Sequence, residues 1–100
     1  MAFGLRDSDI HSICSIMEGF PVIEKALIFG SRALDTYKPG SDVDIALIGD
    51  NIEGILWQVN DLLEQTTMPY FFDVLAYSSI KNADLKIQID KYGKVIWQRN

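Results

Sequence analysis

One hundred residues suffice for one domain with a single core, and leave no room for a separate acceptor-binding domain beside a catalytic one. Fourteen acidic residues against nine basic ones give a net charge of −5, which disfavours gripping a phosphate backbone, so polymerase-like and tRNA-directed roles lose weight. The lone Cys14 excludes an intramolecular disulfide, and no signal peptide or membrane-spanning run is present, so a cytoplasmic protein is the expectation.

Apolar spacing predicts a first helix over about 8–19, capped by Asp7 or Ser8. Ile10, Ile13, Cys14 and Met17 share its inner stripe, which makes Cys14 a packed thiol; His11 flanks the stripe and reads as a solvated residue. Phe20-Pro21 separates this helix from a strand over about 24–29, whose run Ala26-Leu27-Ile28-Phe29 ends in Gly30-Ser31 and a short helix from Ser31. Pro39-Gly40 then turns the chain into a strand over 42–48. Asp50 or Asn51 caps a long helix to about Gln65, with Ile52, Ile55, Leu56, Val59, Leu62 and Leu63 on one face and Trp57 on the opposite one. A strand over 71–76 follows. Ser78 or Ser79 begins a last helix that Gly93 ends ahead of Val95-Ile96-Trp97, and it carries two apolar stripes, Leu85-Ile89-Tyr92 and Ile80-Ala83-Ile87. Strands separated by helices in so short a chain imply an α/β fold, a small mixed β-sheet backed by helices.

Chemistry concentrates in Gly30-Ser31, ten intervening residues, and Asp42-Val43-Asp44. Glycine lets a backbone approach a phosphate, Ser31 offers a hydroxyl and an N–H, and a helix N-terminus carries partial positive charge. In a strand, residues two apart share a face, so Asp42 and Asp44 point to one place. Their repulsion is relieved by divalent cations, and Mg²⁺ favours a few carboxylates together with substrate phosphates. Asp73, set in the apolar run Phe71-Phe72-Asp73-Val74-Leu75, joins them if its strand lies beside the 42–48 strand, giving a two-metal site for in-line attack on phosphorus. Asp-x-Asp or Gly-Ser alone is usually a turn or a solvated edge. Four specified positions at this spacing match by chance on the order of once in 10⁵ starts. Of the nearby cations, Arg32 is favoured at the triphosphate because a fork of donors suits phosphate; Lys38 is left unassigned.

Gly30-Ser31-Arg32-Ala33 followed by Gly40-Ser41-Asp42-Val43-Asp44-Ile45-Ala46-Leu47 resembles the minimal nucleotidyltransferases of the DNA polymerase β superfamily. Pro69-Tyr70, Asp73, Ile80, Asn82, Leu85, Ile89 and Gly93 are similar to the C-terminal half of the same proteins, so residues 1–100 are expected to form one such domain with a palm-like core. The resemblance implies that Gly30 and Ser31 hold the triphosphate of ATP, with Arg32 beside them by the donor argument above, that Asp42 and Asp44 hold two Mg²⁺ ions, and that Asp73 is the third acid, deprotonating or orienting the attacking hydroxyl. It also implies transfer of AMP to a hydroxyl and a helical HEPN-domain partner, the chain serving as antitoxin to an RNase toxin by modifying its tyrosine. One position departs from the pattern: Asp35 stands where members commonly have glycine. Two other readings stay open, a catalytically silent module that neutralises a partner by contact and an adenylyltransferase acting on a small molecule. Acceptor, base preference, partner identity and oligomeric state are not legible in the sequence.

Overall fold

Four strands form one mixed sheet in a computed structural model that describes residues 2–100. Strand β1 (Ile23–Phe29) and strand β2 (Val43–Gly49) pair antiparallel, β3 (Phe72–Ala76) lies parallel to β2, and β4 (Lys94–Gln98) is antiparallel to β1, giving the order β3-β2-β1-β4. Helix α1 (Asp7–Glu18) precedes β1, α2 (Leu56–Glu64) connects β2 to β3, and α3 (Ala83–Tyr92) precedes β4. The expected α/β architecture, a small mixed sheet backed by helices, is the one observed.

Alternation along the strands divides the core into two layers. Ala26, Ile28, Val43, Ile45, Leu47, Val74 and Ala76 face α1 and α2, where Ile13, Met17, Val59 and Leu63 meet them. From the opposite face, Phe29 and Ala46 meet Ile89 of α3, with Leu27, Leu75, Ile80 and Leu85 around them. Cys14 is half-buried on α1 and donates its Sγ–H to the Ile96 carbonyl at 3.3 Å, while His11 is exposed. None of the described helices is long and apolar enough to cross a membrane.

Several local expectations differ from the structure for identifiable reasons. Arg6, rather than Asp7 or Ser8, occupies the cap position of α1; the backbone N–H of Arg6 donates to Asp9 Oδ2, so the carboxylate three residues on closes the end. The long helix expected from residue 50 breaks into a 3-10 turn over Ile52–Gly54 before α2, because Asn51 is left-handed (φ 56) and Ile55 leaves helical geometry (φ −120). Ser78 and Ser79 lie in another 3-10 turn, and Asn82 caps α3 by accepting from the Leu85 N–H at 3.2 Å. Val95-Ile96-Trp97, given no element from sequence, is the middle of the edge strand β4.

Candidate active site

At the end of the sheet where β1 finishes, Phe29 stands opposite Asp44, and the chain turns at once through Gly30. Gly30 has φ +72, and a Cβ built on it would overlap Oδ2 of Asp44, so glycine serves both the left-handed turn and the room for the carboxylate. The helix expected from Ser31 is a single 3-10 turn over Gly30–Arg32. The expected short helix is thus one turn long, and its N-terminal N–H groups are few. Thr36 folds back on it, its N–H donating to the Ser31 carbonyl at 2.9 Å.

On β2, Val43 and Ile45 are buried toward α1 and α2, which turns Asp44 to the other face of the sheet, where it is half-buried. Parallel pairing of β2 with β3 then places Asp73 directly beside Asp44. Asp73 itself is exposed, and so is Asp42, one residue ahead of β2. The Asp73 strand is therefore the neighbour the sequence reading required, although the carboxylate is on the surface rather than enclosed among apolar groups. Partial burial, followed by the like charges of Asp73 and Asp42, pushes the Asp44 carboxyl up from 3.8 to about 6, and the Arg32 charge opposes this. Among the described residues no three His, Cys, Asp or Glu side chains converge into a ligating cluster; the like charges of Asp42 and Asp73 act against Asp44, and the Arg32 charge offsets them only in part. The donor set nonetheless suits a hard divalent cation: oxygen ligands only, on an open face that leaves space for phosphate oxygens, with one carboxylate already held against its own ionisation.

Arg32 is placed differently from the expectation. Its side chain is 3 % exposed and its guanidinium donates to the carbonyls of Asp42 (3.2 Å), Phe3 (2.9 Å) and Ser41 (2.7 Å). Tyr37 and Tyr70 enclose it, with ring centroids 5.3 and 4.9 Å from Cζ. The sequence reading took neither tyrosine as part of the site; contact with a buried cation comes from tertiary packing, and only the Arg32 charge signalled it. Lys38 is exposed in the connecting loop, where its backbone N–H donates to Ser41 Oγ at 2.8 Å. Asp35 is left-handed, with φ 63, the backbone region that favours glycine, so the departure noted from the resemblance falls where glycine would be the less strained residue. None of the three acids lines either of two surface cavities, one of about 270 Å³ beside Leu56, Val74 and Leu85, the other of about 350 Å³ beside Arg32, Tyr37 and Tyr70.

The family described as polymerase beta nucleotidyltransferase matches residues 11–100, which include the whole acidic face and the turn at Gly30. The chain belongs to the polymerase beta nucleotidyltransferase family. No curated protein matches it. Among solved structures, a chain of a toxin–antitoxin complex with AMP-PNP is similar at TM-score 0.69 and 24 % identity, over 96 % of this chain and 76 % of that one. A chain of the MntA–HepT toxin–antitoxin complex gives TM-score 0.67 and 21 % identity, over 94 % and 74 %. The complex of an MNT antitoxin with the tri-AMPylated HEPN toxin of Shewanella oneidensis gives TM-score 0.68 and 21 % identity, over 95 % and 74 %. At these identities the likeness is one of fold: this nucleotidyltransferase shares the backbone architecture of those chains.

Proposed function

We propose that residues 1–100 act in the cytoplasm as a minimal nucleotidyltransferase domain that moves AMP from ATP to a hydroxyl, the acceptor being a tyrosine of a HEPN-type RNase toxin, and so serve as its antitoxin. The observation that carries this reading is the Asp44–Asp73 pair on adjacent parallel strands, with Gly30 packed against the Asp44 carboxylate. Gly30 and Ser31 would receive the triphosphate, whose oxygens need close backbone approach and N–H donors. Asp42, Asp44 and Asp73 would hold two Mg²⁺ ions, which when bound neutralise charge on the transferring phosphoryl group and favour the attacking hydroxyl. Asp73, exposed at the edge strand, is the acid positioned to orient or deprotonate an acceptor arriving from outside.

A partner as acceptor is supported by two features. Among the described residues the three acids line neither of the two cavities noted above, and the similar folds reported above come from toxin–antitoxin complexes, one with an AMPylated toxin and another with an ATP analogue. Incubation with ATP, Mg²⁺ and the HEPN-type product of a neighbouring gene should give an adenylyl adduct on a partner tyrosine by mass spectrometry. The Asp42→Asn protein should give none. Full neutralisation of the partner by Asp42→Asn, with no adduct from the unaltered protein, would establish the contact-only module instead, and an adduct on an aminoglycoside but not on the partner would establish the small-molecule enzyme.

A further inference from the structure

The two halves of the Gly-Ser and Asp-x-Asp motif are separated by a loop of ten residues, and that loop has little regular structure to define its length. What spans the gap is Arg32. Leaving the 3-10 turn of the first half, its guanidinium donates to the carbonyls of Ser41 and Asp42 at the start of the second, and to Phe3 in the N-terminal segment. Three of its five N–H groups are thereby committed to backbone carbonyls. The side chain is only 3 % exposed, and Cζ lies 5.3 Å from the ring centroid of Tyr37 and 4.9 Å from that of Tyr70. Tyr70 is fixed in turn, its hydroxyl donating to Asp9 Oδ2 at 3.2 Å, while Asp9 also accepts from the Arg6 guanidinium at 3.3 Å. Gly4, with φ +71, packs so closely that a Cβ there would overlap the Tyr37 ring. Phe3, Gly4, Arg6 and Asp9 all precede residue 11, where the family match begins.

We infer that Arg32 is a positioning residue: it acts through the Ser41–Asp42 backbone, setting where the Asp42 carboxylate stands relative to Asp44, and not by gripping the triphosphate. The inference rests on the nucleotidyltransferase reading above. A guanidinium suits this task because its planar fork can address several carbonyls at once while its faces pack on aromatic rings. An ammonium has neither property. The segment ahead of residue 11 belongs to the same support, supplying one carbonyl acceptor and, through Asp9, the anchor of Tyr70.

The test titrates Mn²⁺ into protein and AMP-PNP by calorimetry, alongside AMP transfer at saturating metal, for Arg32→Lys and Tyr37→Leu. Arg32→Lys keeps the buried charge but loses the fork. It should raise the metal concentration for half-saturation by about tenfold and lower kcat by roughly 10², the order expected when a reacting group is misplaced by about 1 Å. AMP-PNP affinity at saturating metal should stay within about threefold of the unaltered protein, since the phosphate contacts remain. Tyr37→Leu, which removes one ring and none of the carbonyl bonds, should shift both quantities in the same direction by less. Loss of AMP-PNP affinity at every metal concentration, with half-saturation unchanged, would overturn the inference in favour of a direct phosphate contact. A lowered Tm with unchanged metal half-saturation and unchanged kcat would overturn it in favour of plain structural support. Absence of metal-dependent AMP-PNP binding in the unaltered protein would overturn the proposed function as well, so the two failures are distinguishable.

Discussion

Asp44 is where the chemistry of the site meets the stability of the fold. Burial first, then Asp73 and Asp42, raise its pKa from 3.8 to about 6. A carboxyl whose pKa is higher folded than unfolded binds its proton more tightly in the fold. Stability of the metal-free protein should therefore decline as pH rises from about 4 to about 6, and level off above. Asp9 acts with the opposite sign in a different window: burial would raise its pKa, but hydrogen bonds from Arg6 and Tyr70 outweigh this, so its contribution is lost only as pH falls below the ordinary carboxylate range. Thermal melts between pH 4 and 7 should show the decline, and Asp44→Asn should flatten it and raise Tm at pH 7. A Tm in that variant that still fell across the same window would place the titration elsewhere. Asp42→Asn, Asp44→Asn and Asp73→Asn should each retain a native circular dichroism spectrum and lower AMP transfer by on the order of 10²-fold or more, because each removes charge that neutralises the transferring group. Asp35→Gly is a separate case. A non-glycine residue in the left-handed region costs about 1–2 kcal/mol, partly offset by the larger unfolded-state entropy of glycine, so this variant should be more stable by a few tenths up to about 1 kcal/mol in urea titrations.

Of the three α-helices, α3 buries the fewest side chains. Ile89 is the one side chain of this helix that is fully buried, set between Phe29 and Ala46, while Ile87 is 62 % exposed. Of the stripe Leu85-Ile89-Tyr92, Leu85 and Ile89 pack against the sheet and Tyr92 is exposed; of Ile80-Ala83-Ile87, Ile80 packs from ahead of the helix while Ala83 and Ile87 are exposed. Ile89→Ala should cost about 2–4 kcal/mol, the range for truncating a well-packed core side chain, whereas Ile87→Ala should fall within about 0.5 kcal/mol. Chemical denaturation of the two variants checks the contrast; equal losses would mean that α3 packs by a different face. The helices and the first three strands were legible because their apolar periodicities are long. Edge strand β4 was not, because its apolar run is only Val95-Ile96-Trp97, shorter than that of β3, and the strand is defined by pairing with β1. The break ahead of α2 was hidden for a similar reason: Ile52 continues the apolar spacing of the helix, and only the backbone at Asn51 and Ile55 separates them.

For the molecule as a whole, the proposed function requires that the site be completed by ligands. ATP with Mg²⁺ at ten times its dissociation constant should stabilise the fold by about 1.4 kcal/mol, a rise in Tm of several degrees that EDTA should cancel. Equal stabilisation by ATP in EDTA would contradict a metal-assisted site. Trp57 remains 67 % exposed on α2, and Phe71, just ahead of the Asp73 strand, is 80 % exposed. If the partner seats there, Trp57→Ala should weaken the complex by about 2 kcal/mol, the scale of an aromatic anchor in a desolvated pocket, as measured by calorimetry with the HEPN-type protein. Unchanged affinity would remove Trp57 from the interface.

Spacing along the chain was enough to single out Gly30, Ser31, Asp42, Asp44 and Asp73, because strand periodicity dictates which side chains share a face and few chemistries require that combination of glycine, hydroxyl and carboxylates. Only the tertiary structure decided that β3 lies beside β2 in parallel register, so that Asp73 stands next to Asp44. Only it showed where Arg32 points. A guanidinium one residue after Gly30-Ser31 reads as a phosphate ligand, and nothing local distinguishes phosphate oxygens from the carbonyls of Phe3, Ser41 and Asp42 as its acceptors. Those carbonyls, and the rings of Tyr37 and Tyr70, are brought together by contacts as many as 38 positions from Arg32 in sequence, which chain spacing does not encode.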